Sequence, residues 1–380
     1  MLRNARFINV KALRDLEISL APFTVIVGPN ASGKTSILRS LRLVGRLADP
    51  LHSPLAAGIP NLEDIRTHDA TDAMHFKVDG TLGGKPTDLE LKISEFEDFQ
   101  KPSDFVLRAT WQDRHIDHVQ AFRIRPKKKE VERGRARYAT FLDGEGAILR
   151  EITPRATFLR LNASRMSTAS YSDEKTPSLQ EDGSAFGALL AHIALVDRTR
   201  YDRIVDAVRA VIPAVHGLRL EREKVPRSDP ELWGHKLIID FESSPDTPAE
   251  EASEGTLLVI GIITAVLSIE HPNLILIDDI DKGLHPKAIV DLIAQLRRIL
   301  VENPDLQIIA TTHSPYLIDN FEGDEIRLTT MSPTAGVVCG RLSDHPDFAR
   351  WRETMLAGEF WSMVGERWLL EPRAQAHAVP

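Results

Sequence analysis

Phe23-Thr24-Val25-Ile26-Val27-Gly28-Pro29-Asn30-Ala31-Ser32-Gly33-Lys34-Thr35-Ser36 decides the fold. It opens on an apolar run that reads as a buried strand. It then passes through Gly28–Thr35, which matches G-x-x-x-x-G-K-[ST]. The spacing of Ile37, Leu38, Leu41 and Val44 predicts a helix over residues 35–47. Strand, glycine-rich loop and helix in that order make a phosphate cradle. The glycines let backbone N–H groups turn inward, and the helix start adds its positive end. Lys34 supplies a point charge to the β- and γ-phosphates and Thr35 a hydroxyl for magnesium. Asn30, Ala31, Ser32 and Ser36 complete the nucleotide-contacting set.

Working outward, two strands are expected before the loop, over 5–10 and 13–20. After a loop-like 50–69, residues 72–160 read mainly as strands, among them 73–78, 89–93, 105–109 and 138–142. Residues 164–183 read as a mobile loop. Helices are expected over 184–196, 201–212, 256–269 and 286–301, and strands over 236–241, 274–277 and 306–310. Strands alternating with helices at both ends of the chain predict a mostly parallel α/β core.

Leu274-Ile275-Leu276-Ile277-Asp278-Asp279 is an apolar strand ending in two acids. Beside a phosphate loop this is the Walker B pattern. Asp278 then holds magnesium through water, and Asp279 stands where a general base for the attacking water belongs. Thr311-Thr312-His313-Ser314-Pro315 places His313 at the edge of another buried strand, within reach of the γ-phosphate or the water. Ser253-Glu254-Gly255-Thr256 precedes an apolar helix. By itself it reads as a serine N-cap, but a hydroxyl, a glycine and a helix start also make an anion site. The nucleotide of a second copy would use it.

The composition suits a globular protein, with 42% hydrophobic and 27% charged residues. One cysteine, Cys339, excludes an intramolecular disulfide and fits a reducing compartment. Charged residues interrupt the first twenty positions, so no signal peptide is expected. The longest apolar run, 257–267, is too short to span a bilayer. The expected location is cytoplasmic, without membrane attachment. A net charge of −8 argues against wholesale nucleic-acid coating. The basic run from Arg123 to Arg137 leaves open a local contact with DNA or RNA. Asp113, His115 and Asp117 share one face if their segment is a strand, without the ligands of a closed metal site. Trp351, Phe360, Trp361 and Trp368 make an aromatic tail, read as packing on the head or as a docking surface.

These motifs resemble those of the ABC-type ATPase heads of the RecF, SMC and OLD-like group, and most nearly the stand-alone "AAA" ATPases of bacterial genomes. The matched elements are the opening segment of Phe7, three intervening residues and Lys11-Ala12-Leu13-Arg14-Asp15-Leu16, then Gly28–Thr35, Ser253–Thr256, Leu274–Asp279, Gly283-Leu284-His285-Pro286 and Thr312-His313-Ser314-Pro315. The resemblance implies a P-loop NTPase of α/β class with an ABC-type head over 1–345. That head has a nucleotide lobe (1–50 and 270–345), a β-rich and helical inserted arm (about 72–230) and a signature helix (252–269), and a C-terminal tail (346–380) follows it. It implies ATP and magnesium as ligands and a homodimer closed around nucleotide, with Ser253 and Gly255 touching the partner's γ-phosphate. Asp281 would lie near the dimer seam. Such ATPases often stand beside an effector gene in phage-defence or repair islands.

Three departures stand out. Asp279 replaces the usual Glu and is one methylene shorter, which predicts slow hydrolysis. Ala252 replaces the Leu before the signature serine. The Q-loop glutamine is unassigned among Gln100, Gln112 and Gln120. Too few residues follow His313 for the Toprim nuclease domain of OLD proteins, so nuclease activity is expected only from another protein. The alternative to a hydrolysing switch is an ATP-sensing scaffold without turnover.

Overall fold

The computed structural model describes residues 1–48, 66–68, 70, 72–82, 85–94, 103–111, 114–122, 154–226, 231–268 and 272–371; for 46–48, 82, 94, 103–111 and 114–122 the backbone alone is described. In chain order the strands are β1 Leu2–Val10, β2 Leu13–Ser19, β3 Phe23–Val27, β4 Met74–Leu82, β5 Lys85–Ser94, β6 Ser103–Trp111, β7 Arg114–Phe122 and β8 Ala156–Leu159. They continue with β9 Val215–Lys224, β10 Trp233–Phe241, β11 Thr247–Pro248, β12 Leu274–Ile277, β13 Gln307–Thr312, β14 Ile326–Ser332 and β15 Gly336–Arg341. The long helices are α1 Lys34–Ala48, α2 Phe186–Val196, α3 Arg198–Val211, α4 Glu254–Val266 and α5 Pro286–Glu302. Two compact units result: Met1–Arg155 with Thr311–Pro380, and Ala156–Ala310.

In the first unit, β2, β1, β4, β5, β6 and β7 pair in that order as an antiparallel sheet. Alternation fixes its register. Ala5 pairs with Val78 and Phe7 with Phe76, and the two rings meet edge to face at 6.1 Å. β3 is buried along its whole length and pairs in parallel with β14, as a continuous apolar run should. α1 buries Ile37, Leu38, Leu41 and Val44, the stripe read from the sequence. The hairpin β14–β15 carries no alternating apolar signal strong enough to predict it; it is anchored by its neighbours, Ile326 opposite Val25.

In the second unit β12 runs parallel to both β8 and β13, with Leu274 opposite Ala156 on one side and Gln307 on the other. α4 is buried on every residue from Gly255 to Val266, apolar all round as an interior helix is. β9 and β10 form a long antiparallel pair, of which the sequence showed only the end of β10. The stretch 164–183, expected as a mobile loop, starts within a helical turn, Ala163–Met166, capped by the Asn162 side chain. It ends in backbone bonds from Arg160 N–H to Glu181 O at 2.8 Å and from Asn162 N–H to Asp182 O at 3.0 Å. Polar composition hid this order because backbone pairing carries it.

The tail packs within the first unit. Phe360 is 1% exposed and sits edge to face with His345 and Phe348. Trp361 Nε1 donates to Glu366 at 2.8 Å. The basic run 123–137, the strand expected at 138–142, Gln100, Gln112 and Asp113 lie outside the described residues, as do the side chains of His115, Asp117 and Gln120. Among the described residues no helix is long and apolar enough to cross a membrane.

Candidate functional site

The phosphate loop is held in the first unit by three residues with positive φ: Gly28 at 150°, Ala31 at 61° and Gly33 at 91°. Such alternation turns successive N–H groups toward one concavity, an anion nest. Both motif glycines are also required by packing. A side chain at Gly28 would overlap the Thr329 carbonyl oxygen, and one at Gly33 the Val337 methyls. Ser32 Oγ lies 2.8 Å from Thr329 Oγ1, which donates to Val27 O at 3.1 Å. Lys34 is 6% exposed, and its Nζ donates to Gly28 O and Pro29 O, each at 2.8 Å. The ammonium is thus drawn over the loop. Asn30 and Ala31 are exposed at its tip, while Thr35 and Ser36 are half-buried in the first turn of α1. His313, also in this unit, is exposed directly after β13, where Ser314 N–H donates to Thr312 Oγ1 at 2.9 Å.

In the second unit Asp278 leaves the C-terminal end of β12. Its amide donates to Leu159 O at 2.8 Å, and its side chain is 3% exposed. Arg160 Nε lies 3.8 Å from Asp278 Oδ2. Asp279 follows with φ at 56°, a left-handed conformation that Asp and Asn adopt more readily than other side chains. Arg160, Asn162, Asp182, Asp278, Asp279 and Lys282 help line a cavity of 380 Å³. Two adjacent carboxylates opening on room for several waters fit magnesium, which takes few protein ligands and keeps its water. No group of three or more acids, histidines or cysteines gathers for a metal among the described residues.

The signature segment, in the same unit, adopts N-cap geometry: Ser253 Oγ accepts from Thr256 N–H at 3.2 Å. Ser253 is exposed and Gly255 buried. Gly255 packs against the carbonyl oxygen of Gly283, and Lys282 pairs with Glu254 at 2.8 Å. His285 caps α5 through Nδ1, with Pro286 at its first position. Sequence reasoning missed Arg160, Lys282, Thr329 and Val337. Arg160 follows β8, and Thr329 and Val337 lie on β14 and β15, each far along the chain from the motif it serves. Lys282 stands three residues past Asp279, but its partner Glu254 is distant in sequence. Cys339, half-buried on β15, has its thiol pushed up to about 12 by desolvation.

A strand, nest and helix carrying a buried lysine, with an apolar strand ending in paired acids, define a P-loop NTPase of ABC-ATPase type. The chain belongs to the family described as "AAA domain, putative AbiEii toxin, Type IV TA system", matched over residues 23–319. That places it in the RecF, SMC and OLD-like group. It is 40% identical over 78 residues to an OLD nuclease of Thermus scotoductus, a match covering 20% of this chain and 14% of that relative. Among solved structures it resembles an SMC head bound to the C-winged helix domain of ScpA, with a TM-score of 0.56 and 13% identity over 90% of this chain and 98% of the other. An SMC head from Thermotoga maritima has a TM-score of 0.48 at 12% identity, covering 90% of this chain and 98% of that one.

Proposed function

We propose that the chain is a molecular switch that binds ATP with magnesium, hydrolyses it slowly to ADP and phosphate, and closes on a second copy around the nucleotide. The observation that carries this reading is the nest at Gly28–Thr35 with Lys34 drawn over it. In this reading Lys34 exchanges the two loop carbonyls for the β- and γ-phosphates, while the N–H groups of Gly28 and of residues 30–36 cradle them. Thr35 and Asp278 hold magnesium, which when bound would neutralise phosphate charge. Asp279 takes the proton of the attacking water, and His313 orients that water or the γ-phosphate. Ser253 and Gly255 are offered to the partner's γ-phosphate, with the helix start of α4 behind them.

The slowness is assigned to Asp279. Its carboxylate is one methylene short of a glutamate, and a misplacement of about 1 Å costs about a hundredfold in rate. A switch of this kind stays closed until a partner acts on it. Its setting is read as phage defence or DNA repair, with a protein effector encoded nearby. The family description, which names a putative toxin of a type IV TA system, supports only that the chain works within a multi-gene system. Arg123–Arg137 is the proposed place for DNA or RNA, and the cytoplasm the proposed location.

Single-turnover hydrolysis tests the reading, with Lys34→Ala as the blank. Phosphate release above that blank supports a slow ATPase. A wild-type rate equal to the blank would replace it with a scaffold that senses ATP without turning it over.

A further inference from the structure

Arg160 is the first residue past β8, and Asp278 the first past β12. The two strands are parallel neighbours with Leu159 opposite Ile277, so the two side chains leave adjacent strand ends. The backbone of Arg160 is fixed from its other side by the bond to Glu181. Its Nε stands 3.8 Å from Asp278 Oδ2, yet the guanidinium side chain is 58% exposed while the carboxylate is 3% exposed. A carboxylate this buried needs a compensating charge. A half-exposed arginine supplies one and can also leave, because water is at hand to solvate it. Both residues line the 380 Å³ cavity.

We propose that Arg160 is a placeholder cation for Asp278. It compensates the carboxylate while no metal is bound and is released when magnesium takes that oxygen. Metal binding is therefore an exchange of one cation for another, and Arg160 sets the magnesium concentration at which the site fills. Arg160 is a positioning residue rather than a catalytic one. The inference rests on the reading of Asp278 as a magnesium ligand.

The test titrates magnesium against binding of a fluorescent ATP analogue by the full chain, comparing wild type with Arg160→Ala, Arg160→Gln and Arg160→Lys. Removing the competing charge should lower the half-saturating magnesium concentration about fivefold, the worth of a partly exposed pair. Gln, which keeps much of the stem without the charge, should shift it in the same direction, and Lys should stay near wild type. Thermal melts without nucleotide give a second readout, in which magnesium should raise the melting temperature more in Arg160→Ala than in wild type. An unchanged magnesium requirement overturns the proposal. So does a raised one, or weaker analogue binding in the presence of chelator, because Arg160 would then serve the phosphates themselves. If magnesium changes analogue binding neither in wild type nor in Asp278→Asn, the fault lies instead with the magnesium-ligand reading of Asp278.

Discussion

Gly255 lies against the carbonyl oxygen of Gly283 with no room for a side chain between them. Together with the Lys282–Glu254 ion pair, this contact fastens the start of α4 to the turn that follows Asp279 within one chain. The glycine is therefore needed before any partner arrives. Gly255→Ala drives a methyl into that oxygen and should cost about 1–3 kcal/mol, read as a lower melting temperature without nucleotide. An unchanged melting temperature would leave Gly255 to the partner's phosphate alone.

Ser253 separates a structural task from a functional one. Its hydroxyl caps α4, so Ser253→Ala should lose about 1 kcal/mol of stability. Asp caps as well as Ser does, but it places a carboxylate where a partner's γ-phosphate is proposed to come. Ser253→Asp should keep the melting temperature and abolish ATP-dependent dimerisation. A dimer that forms equally well in Ser253→Asp removes this residue from the interface.

Asp279 is held at a φ of 56°. A β-branched side chain there should cost about 1–2 kcal/mol, so Asp279→Val should melt lower while Asp279→Asn should not. If Asp279 is the base, the Asn variant should also stop phosphate release and prolong the closed, ATP-loaded dimer. Phosphate release from Asp279→Asn at the wild-type rate would show that another group takes the proton.

Lys34→Ala removes a charge and two hydrogen bonds to the loop. ATP affinity should fall by about a hundredfold or more, and ATP should no longer raise the melting temperature. Equal affinity in mutant and wild type would remove the basis for the phosphate site.

Much of this was legible because the informative residues are local. The loop Gly28–Thr35, the strand ending at Asp278 and the helix after Ser253 each carry their signal within a dozen positions. The structure places them on β3 and α1, β12 and α4. Partners that come from far along the chain were not legible. Thr329 and Val337 shape the loop from some three hundred residues away, and no pattern near Gly28 announces them. Arg160 follows a four-residue strand whose pairing with β12 only the fold reveals. The left-handed backbone of Asp279 was equally hidden, although its short side chain, noticed as a departure, suits that conformation.

Sedimentation velocity of the full chain, with and without ATP and magnesium, tests the central claim most directly. The mass should rise from monomer toward dimer when both are present, and stay unchanged in Lys34→Ala. A wild-type mass that ignores nucleotide, whether monomeric or dimeric throughout, would contradict a switch that closes on a second copy around ATP.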